Sequence, residues 1–518
     1  MPNKSRTAQS ILNSIVALTM YFVNLVLQFY SRKIFLEYLG AEILGLNSTA
    51  YNLLQFLNLA ELGIGSAIGY TLYKPIYEND RETIINIVSL QGRFYKKIAC
   101  IIIFGAVILS FFFPVIFKKT ELPLWYAYAS FGVLLFSSLL GYFVNYKQIL
   151  LTASMQEYKI QYSYRLIMIV KTLCQMIAMC CFSHPYLWWL GLEVAFTIIG
   201  SCSLNVVIRK SFPYLKSSAL SFRQLRRQYG DVITKVKQVF VHNTSAFALL
   251  QFSPLMIYFY TSLSDVTKYG NYILIITGIT RLLKAAFDSV VAGIGNLLSQ
   301  HPDRAYPFFS ELFSLRFFVA SISCFLFYNL ADSFITIWIG SEFLMPNSTL
   351  ILLSITVFIT LFRQVIDNFI SAYGLFSDIW APISEIILNV LFSVILGKYW
   401  GINGIISGMI ISQTLIILIW KPYFLFSRGI KRSVRSYWAL FFKHLILSII
   451  VAGLCLIFIG RIKISVSGYM GLSLACLIDF FSFGLLLLIA MNLTNCGIKH
   501  FEYRVVNLIR KHIGKTEK

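Results

Sequence analysis

The chain is short of charge. Only 13% of its 518 residues are Asp, Glu, Lys or Arg, against about a quarter in a soluble domain. So few charged groups cannot coat a globular surface, which excludes a cytosolic enzyme. Acid is scarcer still: 22 Asp and Glu stand against 44 Lys and Arg, a formal net charge of +22. Low mean polarity also excludes extensive disorder. The nine cysteines fall mostly inside apolar stretches and lack paired metal-ligand spacing. They read as small packing residues, and no metal or other cofactor is expected. Catalytic motifs are missing too. There is no HExxH and no nucleophile elbow, and Gly514-Lys515-Thr516 lacks the upstream glycine of a phosphate loop. Without an ATP-binding loop, any pumping must draw on an ion gradient or on the substrate's own gradient.

What the chain does have is apolar length. Hydrophobic residues make up 58% and mean hydropathy is +0.73. The apolar residues come in blocks such as Ile101 to Ile116, Ile351 to Phe362, Leu445 to Ile459 and Phe480 to Ala490. Repeated from end to end, such blocks are bilayer spans. Fourteen helices are predicted, at 11–31, 43–73, 97–117, 124–146, 162–183, 186–208, 241–262, 270–297, 315–338, 349–373, 379–397, 402–425, 444–460 and 466–491. The expected fold is an all-α polytopic membrane protein with two pseudo-symmetric six-helix bundles and two C-terminal helices.

The positive charges orient it. With a cytoplasmic N-terminus, 32 of the 44 Lys and Arg fall in segments predicted inside and eight in those predicted outside. Loops rich in Lys and Arg stay in the cytoplasm, so both ends are expected there, in a multi-pass inner-membrane protein. This bias accounts for the excess charge, and no nucleic-acid partner is needed.

The expected organisation is an N-terminal bundle over 1–210, a basic cytoplasmic linker over 211–240, a second bundle over 241–425, and a segment over 426–518 with two further helices and a basic tail. In the linker, Ser221 and Gln224 have the spacing of a capping box for a short surface helix. Its Leu225, Val232, Ile233 and Val236 are expected on lipid headgroups, with Arg223, Arg226 and Arg227 toward anionic lipid. Asn79 and Glu82 predict a similar capped connector carrying Ile84, Ile85, Val88 and Leu90. A faint repeat links Gly63-Ile64-Gly65 to Gly293-Ile294-Gly295 at the ends of the second and eighth helices.

Ionisable residues inside spans are the candidate functional groups, because an unpaired charge at mid-bilayer costs about 2.5–3.5 kcal/mol. Arg281, Lys284 and Asp288 share one face of the eighth helix. Arg363 and Asp367 lie four residues apart on the tenth, beside Gln364 and Asn368. Lys171 and Glu193 sit mid-span on the fifth and sixth helices, where they suit either a pathway or an inter-helix staple. Asn47, Asn58, Glu61 and Gly65 form a stripe on the second helix, and Asn13, Asn24, Gln28 and Ser31 another on the first. Asp479 and Glu385 are expected to pair locally. Polar stripes on selected helices predict a central cavity with a cationic excess from Lys171, Arg281, Lys284 and Arg363. Guanidinium groups suit phosphate oxygens through a planar two-pronged donor, so a phosphate-bearing lipid headgroup is the expected cargo.

The stretch from Arg32 to Pro75 resembles the start of bacterial lipid-linked oligosaccharide flippases. These are the Wzx-type polysaccharide transporters of the multidrug/oligosaccharidyl-lipid/polysaccharide export superfamily, to which the multidrug exporters called MATE also belong. Tyr38-Leu39-Gly40, Leu44-Gly45-Leu46, Ala60-Glu61-Leu62-Gly63-Ile64-Gly65 and Tyr73-Lys74-Pro75 carry the likeness, and Arg363 to Gly374 resembles that family's tenth helix. The resemblance implies transfer of an undecaprenyl-pyrophosphate-linked oligosaccharide to the outer leaflet by alternating access. It further implies proton or sodium coupling in some members, with Arg363, Asp367 and Glu61 as matched positions, and contact with polysaccharide polymerase machinery. On the stripe argument alone, Arg281, Lys284 and Lys171 join the substrate set and Asp288 the coupling set. Peptidoglycan-precursor flippases share the architecture, but Arg32 alone stands for their dense arginine set. An ion-coupled small-molecule exporter is the alternative. A membrane polymerase or ligase fits poorly, because the predicted outside loops are only about ten to fifteen residues long against the long loops that class would need.

Overall fold

The computed structural model describes residues 6–61, 64–230, 252–287, 294, 302–375, 378, 380–459, 468–494 and 497. Helices and turns make up all of it, with no strand among the described residues. Ten helices among them are long and apolar enough to cross a membrane. Two of the ten are too long to be single spans. Ile15–Asn58 has 44 residues, about 66 Å if straight, twice a hydrocarbon core of about 30 Å. Helix α1 (Arg6–Asn58) accordingly breaks at Gly40, whose φ of 82° and ψ of 170° no side chain would adopt cheaply. Trp380–Ile430 divides in the same way at Gly401, φ 55° and ψ −127°. The expected spans 241–262 and 270–297 lie only partly within the described residues, as does the glycine repeat at Gly293 and Gly295.

The chain forms two compact units, Met1–Thr267 and Lys268–Lys518. The first contains α1, α2 (Ile64–Glu78), α3 (Arg81–Phe111), α4 (Trp125–Phe143), α5 (Leu166–Cys181), α6 (Pro185–Ser211) and the short α7 (Phe222–Gln228). The second contains α8 (Leu263–Phe287) from Lys268 onward, α9 (Ala305–Ile339), α10 (Asn347–Ala372), α11 (Trp380–Gln413), α12 (Arg435–Ile459) and α13 (Gly468–Leu493). Many large apolar side chains, Phe104, Phe111, Trp400, Ile449 and Leu474 among them, point outward. That outer surface suits lipid rather than water.

The apolar faces that turn inward hold each unit. In the first, Phe35 and Ile43 of α1 meet Met179 of α5 and Tyr186 and Leu190 of α6. In the second, an aromatic ladder of Phe309, Phe313 and Phe317 on α9 meets Phe362 and Phe369 on α10 and Tyr437 and Phe441 on α12. Below it Phe325 of α9 stacks on Phe483 of α13 at 4.3 Å, within a cluster completed by Val451, Cys455, Leu487 and Met491. The two C-terminal helices are therefore built into the second unit through α9. After Gly401 the chain doubles back so closely that a Cβ on Gly404 would lie 2.0 Å from the carbonyl oxygen of Leu396. Only glycine permits that hairpin.

Two expectations about surface connectors are corrected. The segment after Asn79 is not a connector but the first turns of α3, with Ile84, Val88 and Leu90 buried. Its N-cap is Asp80, which accepts from the Thr83 amide at 3.0 Å, while Asn79 takes a positive φ of 55°. In the linker, the capping box of Ser221 and Gln224 is present. Leu225, however, is fully buried rather than set on headgroups, and Phe222 packs edge-on against Phe94 of α3 at 5.5 Å. Arg93 donates to the Leu220 carbonyl at 2.7 Å, and Lys97 sits 4.0 Å above the Phe222 ring. Arg223, Arg226 and Arg227 stay exposed, whereas Val232, Ile233 and Val236 lie outside the described residues.

The Thr83 hydroxyl and amide hold the Asp80 carboxyl below the usual carboxylate range. A depressed value means the cap is fully effective above about pH 4, the unfolded value, and is lost as pH falls through the folded one. Protection of the Thr83 amide relative to its intrinsic exchange rate should fall only below that range in the wild type, and be low at every pH in Asp80→Ala.

Candidate functional site

Four ionisable residues of the second unit, Arg363, Asp367, Glu385 and Lys421, converge where α10 meets α11 and its continuation. One turn of helix separates Arg363 from Asp367, so both project from one face, and Arg363 Nε donates to Asp367 Oδ2 at 3.0 Å. From the opposite side Lys421 Nζ donates to Asp367 Oδ1 at 2.6 Å. Glu385, in the second turn of α11, brings Oε1 to 3.9 Å from Arg363 Nη1. Lys421 comes directly after a π-helical stretch, Thr414–Trp420, and Leu425–Ile430 is π-helical again. Such wide turns shift the angular register of the residues beyond them and are frequent at functional sites.

The four groups amount to two cations and two acids in a tight knot. Asp367 spends both oxygens on donors, whereas Glu385 accepts no hydrogen bond among the described residues. The Arg363 side chain is 24% exposed, against 4% for Glu385. The guanidinium therefore has donors left over and an open side on which to use them. Next to the knot, Arg316 of α9 donates to Gln364 Oε1 at 2.9 Å and lies 4.0 Å from the Phe287 ring.

The first unit offers a cavity of about 690 Å³. Gln55, Asn58, Glu61, Gln91, Tyr95 and Tyr142 are among its lining residues. Tyr95 donates to Glu61 Oε1 at 3.0 Å, and Tyr142 donates to Asn58 Oδ1 at the same distance. Gln91 is buried and its Oε1 has no partner. Carboxamides and phenols arranged like this can exchange hydrogen bonds with a hydroxylated ligand while the rings cover its apolar face.

The residues expected to act together divide among four places. Arg363 and Asp367 meet in the second unit. Glu61 lies with Asn58 and Gly65 on the cavity of the first unit, while Asn47, expected on the same stripe, accepts from Tyr186 at 3.1 Å instead. Lys171 donates to Glu193 Oε1 at 2.7 Å, and Gln175 donates to Glu193 Oε2 at 3.0 Å. That is the staple geometry. Arg281 and Lys284 are exposed on α8, and no contact joins them to Arg363 among the described residues. Asp288 lies outside the described residues. On the first helix, Asn13 clamps the Met155 carbonyl at 2.9 Å and the Tyr158 amide at 3.0 Å. Asp479 of α13, expected to pair locally, instead accepts from Asn329 of α9 at 3.3 Å, across 150 positions.

Lys421 is what sequence reasoning missed, and Glu385, expected to pair locally, instead faces Arg363 of α10 at 3.9 Å. Lys421 counted among the cytoplasmic charges because Arg428 and Lys431 come soon after it. The predicted span 402–425 already placed it in a helix; its partner Asp367, 54 positions away, is what the sequence did not show.

No protein-family model matches the chain, and no curated protein matches it. Solved structures do. The lipid II flippase MurJ, in an inward closed conformation, aligns with a TM-score of 0.63 at 16% identity over 93% of this chain and 98% of that one. An inward-facing multidrug resistance MATE family transporter of the MOP superfamily gives 0.59 at 14% identity, over 81% and 99%. A MOP superfamily transporter from Pyrococcus furiosus gives 0.51 at 12% identity, over 83% and 98%. At these identities the likeness is one of fold, and it extends over nearly the whole of each neighbour. The chain has the all-helical, multi-pass fold of the MOP superfamily.

Proposed function

We propose that this protein is a flippase. It turns an undecaprenyl-pyrophosphate-linked oligosaccharide from the cytoplasmic to the outer leaflet of a bacterial inner membrane by alternating access, for surface polysaccharide synthesis. The observation that carries the reading is the intramembrane knot in which Arg363 and Lys421 share one saturated carboxylate, Asp367. Cations at membrane depth are retained for a substrate pathway, and a guanidinium with free donors is matched to phosphate oxygens. The amide-and-tyrosine cavity of the first unit supports a sugar headgroup as the rest of the cargo. The likeness to a lipid II flippase supports a lipid-linked substrate. Arg281 and Lys284 complete the proposed substrate set, whereas Lys171 is held by Glu193 at 2.7 Å as an inter-helix staple; Asp288, Asp367 and Glu61 are the proposed groups that relay charge to a proton or sodium gradient. Both termini face the cytoplasm in this reading, where the polysaccharide pathway builds the cargo, and its polymerase machinery is the expected neighbour.

An ion-coupled small-molecule exporter is the second reading. It is favoured by an apolar cavity of about 550 Å³ in the second unit, lined by Phe317, Phe325, Phe358, Phe441 and Phe483. The two readings separate in proteoliposomes. A fluorescent undecaprenyl-pyrophosphate oligosaccharide should reach the opposite leaflet with the protein and not without it. If it stays while a cationic dye is pumped, the exporter takes its place.

A further inference from the structure

The geometry points to Glu385 as a proton-binding site that sets the charge of the Arg363 knot and so governs whether that knot accepts an anion. This rests on Arg363 as the anion ligand proposed above.

Counting bonds separates the two acids. A proton arriving at Asp367 would weaken the bonds from two charged donors, because Arg363 and Lys421 bind its two oxygens at 3.0 and 2.6 Å. A proton arriving at Glu385 displaces nothing, since its Oε1 has no hydrogen-bond partner and the residue is 3% exposed. Leaving a buried carboxylate without donors is costly, and a neutral carboxylic acid avoids most of that cost. The residue is not alone in this. Glu385, Asn389 and Ser393 recur every four residues along α11, all buried, and Asn389 Nδ2 also lacks a partner. The charged groups whose fields reach Glu385 are Arg363 and Asp367 from α10 and Lys421 from the stretch after α11.

The charge count then gives the switch. With both carboxylates ionised, the knot of two cations and two acids is neutral and holds no net attraction for pyrophosphate. With the proton on Glu385 it carries one positive charge. Arg363 Nη1, 3.9 Å from that carboxyl, also loses its competing counter-ion. Proton and anion therefore enter together and leave together. By linkage each favours the binding of the other to the same extent.

The test needs no transport. The full-length protein in proteoliposomes is titrated from about pH 5 to about pH 9, and infrared difference spectra track the carbonyl stretch of protonated carboxyl groups. Geranyl pyrophosphate serves as the anion. A titrating carboxyl band is expected in the wild type and absent from Glu385→Gln. Saturating geranyl pyrophosphate should raise its midpoint by about one pH unit. Binding of that probe should tighten by about tenfold in total as pH is lowered through the titration, the same factor as the midpoint shift. A band that survives unchanged in Glu385→Gln overturns the assignment, as does a wild-type midpoint indifferent to the anion. If Glu385→Gln does not fold, Glu385→Asp answers the same question, because its band must move to a new midpoint and an unmoved band overturns the site. A protein that titrates as expected yet moves no lipid-linked oligosaccharide would retract the flippase reading and leave the proton site standing.

Discussion

Arg363→Ala is expected to lose at least about two orders of magnitude in lipid translocation while folding normally. The loss stems from the bonds removed. A hydrogen bond to a charged group is worth about 1.5–3 kcal/mol, and a guanidinium offers pyrophosphate two such bonds in one plane. The fold survives because Asp367 keeps Lys421 at 2.6 Å when Arg363 is gone. Arg363→Lys keeps the charge and loses the fork, so its rate should fall between wild type and the alanine variant. Initial rates in proteoliposomes, beside thermal melts of the same preparations, check both statements. An alanine variant that flips lipid at the wild-type rate would falsify the assignment of Arg363.

Lys171→Met is expected to act through stability instead. Lys171 and Glu193 form an ion pair at 2.7 Å, with side chains only 15% and 13% exposed. Removing one partner strands the other among apolar groups, at a cost of about 3 kcal/mol. The double variant Lys171→Met with Glu193→Gln strands no charge and keeps the Gln175 side chain supplied with an acceptor. It should recover most of the lost melting temperature and transport at close to the wild-type rate. The single and double variants together form a cycle that isolates the pair. If Lys171 instead holds substrate, the double variant melts like the wild type and fails to transport.

Much of the fold was legible along the chain. Hydropathy blocks repeated from end to end located the spans, since an apolar run in a chain this poor in charge has nowhere else to go. The breaks near residues 40 and 400 were legible too, although their cause is a single positive-φ glycine in each case, Gly40 and Gly401. Connectors were read less well. The amphipathic stretch after Asn79 has the same period whether it lies on headgroups or begins a long helix, and only the burial of Ile84, Val88 and Leu90 against the protein chose between them.

The candidate site was legible only where its partners are near in sequence. Arg363 and Asp367 meet because four residues make one helical turn, a relation any helix imposes. Lys421 reaches Asp367 across 54 positions, and Glu193 reaches Lys171 across 22. The residue types and their depth in the bilayer were determined by the sequence alone, because composition and period are local. Which acid each cation found was decided by the packing of α10 on α11 and of α5 on α6. An ion in an apolar medium binds whichever counter-charge the fold brings within reach, and distance in space, unlike spacing along the chain, exists only once the helices have packed.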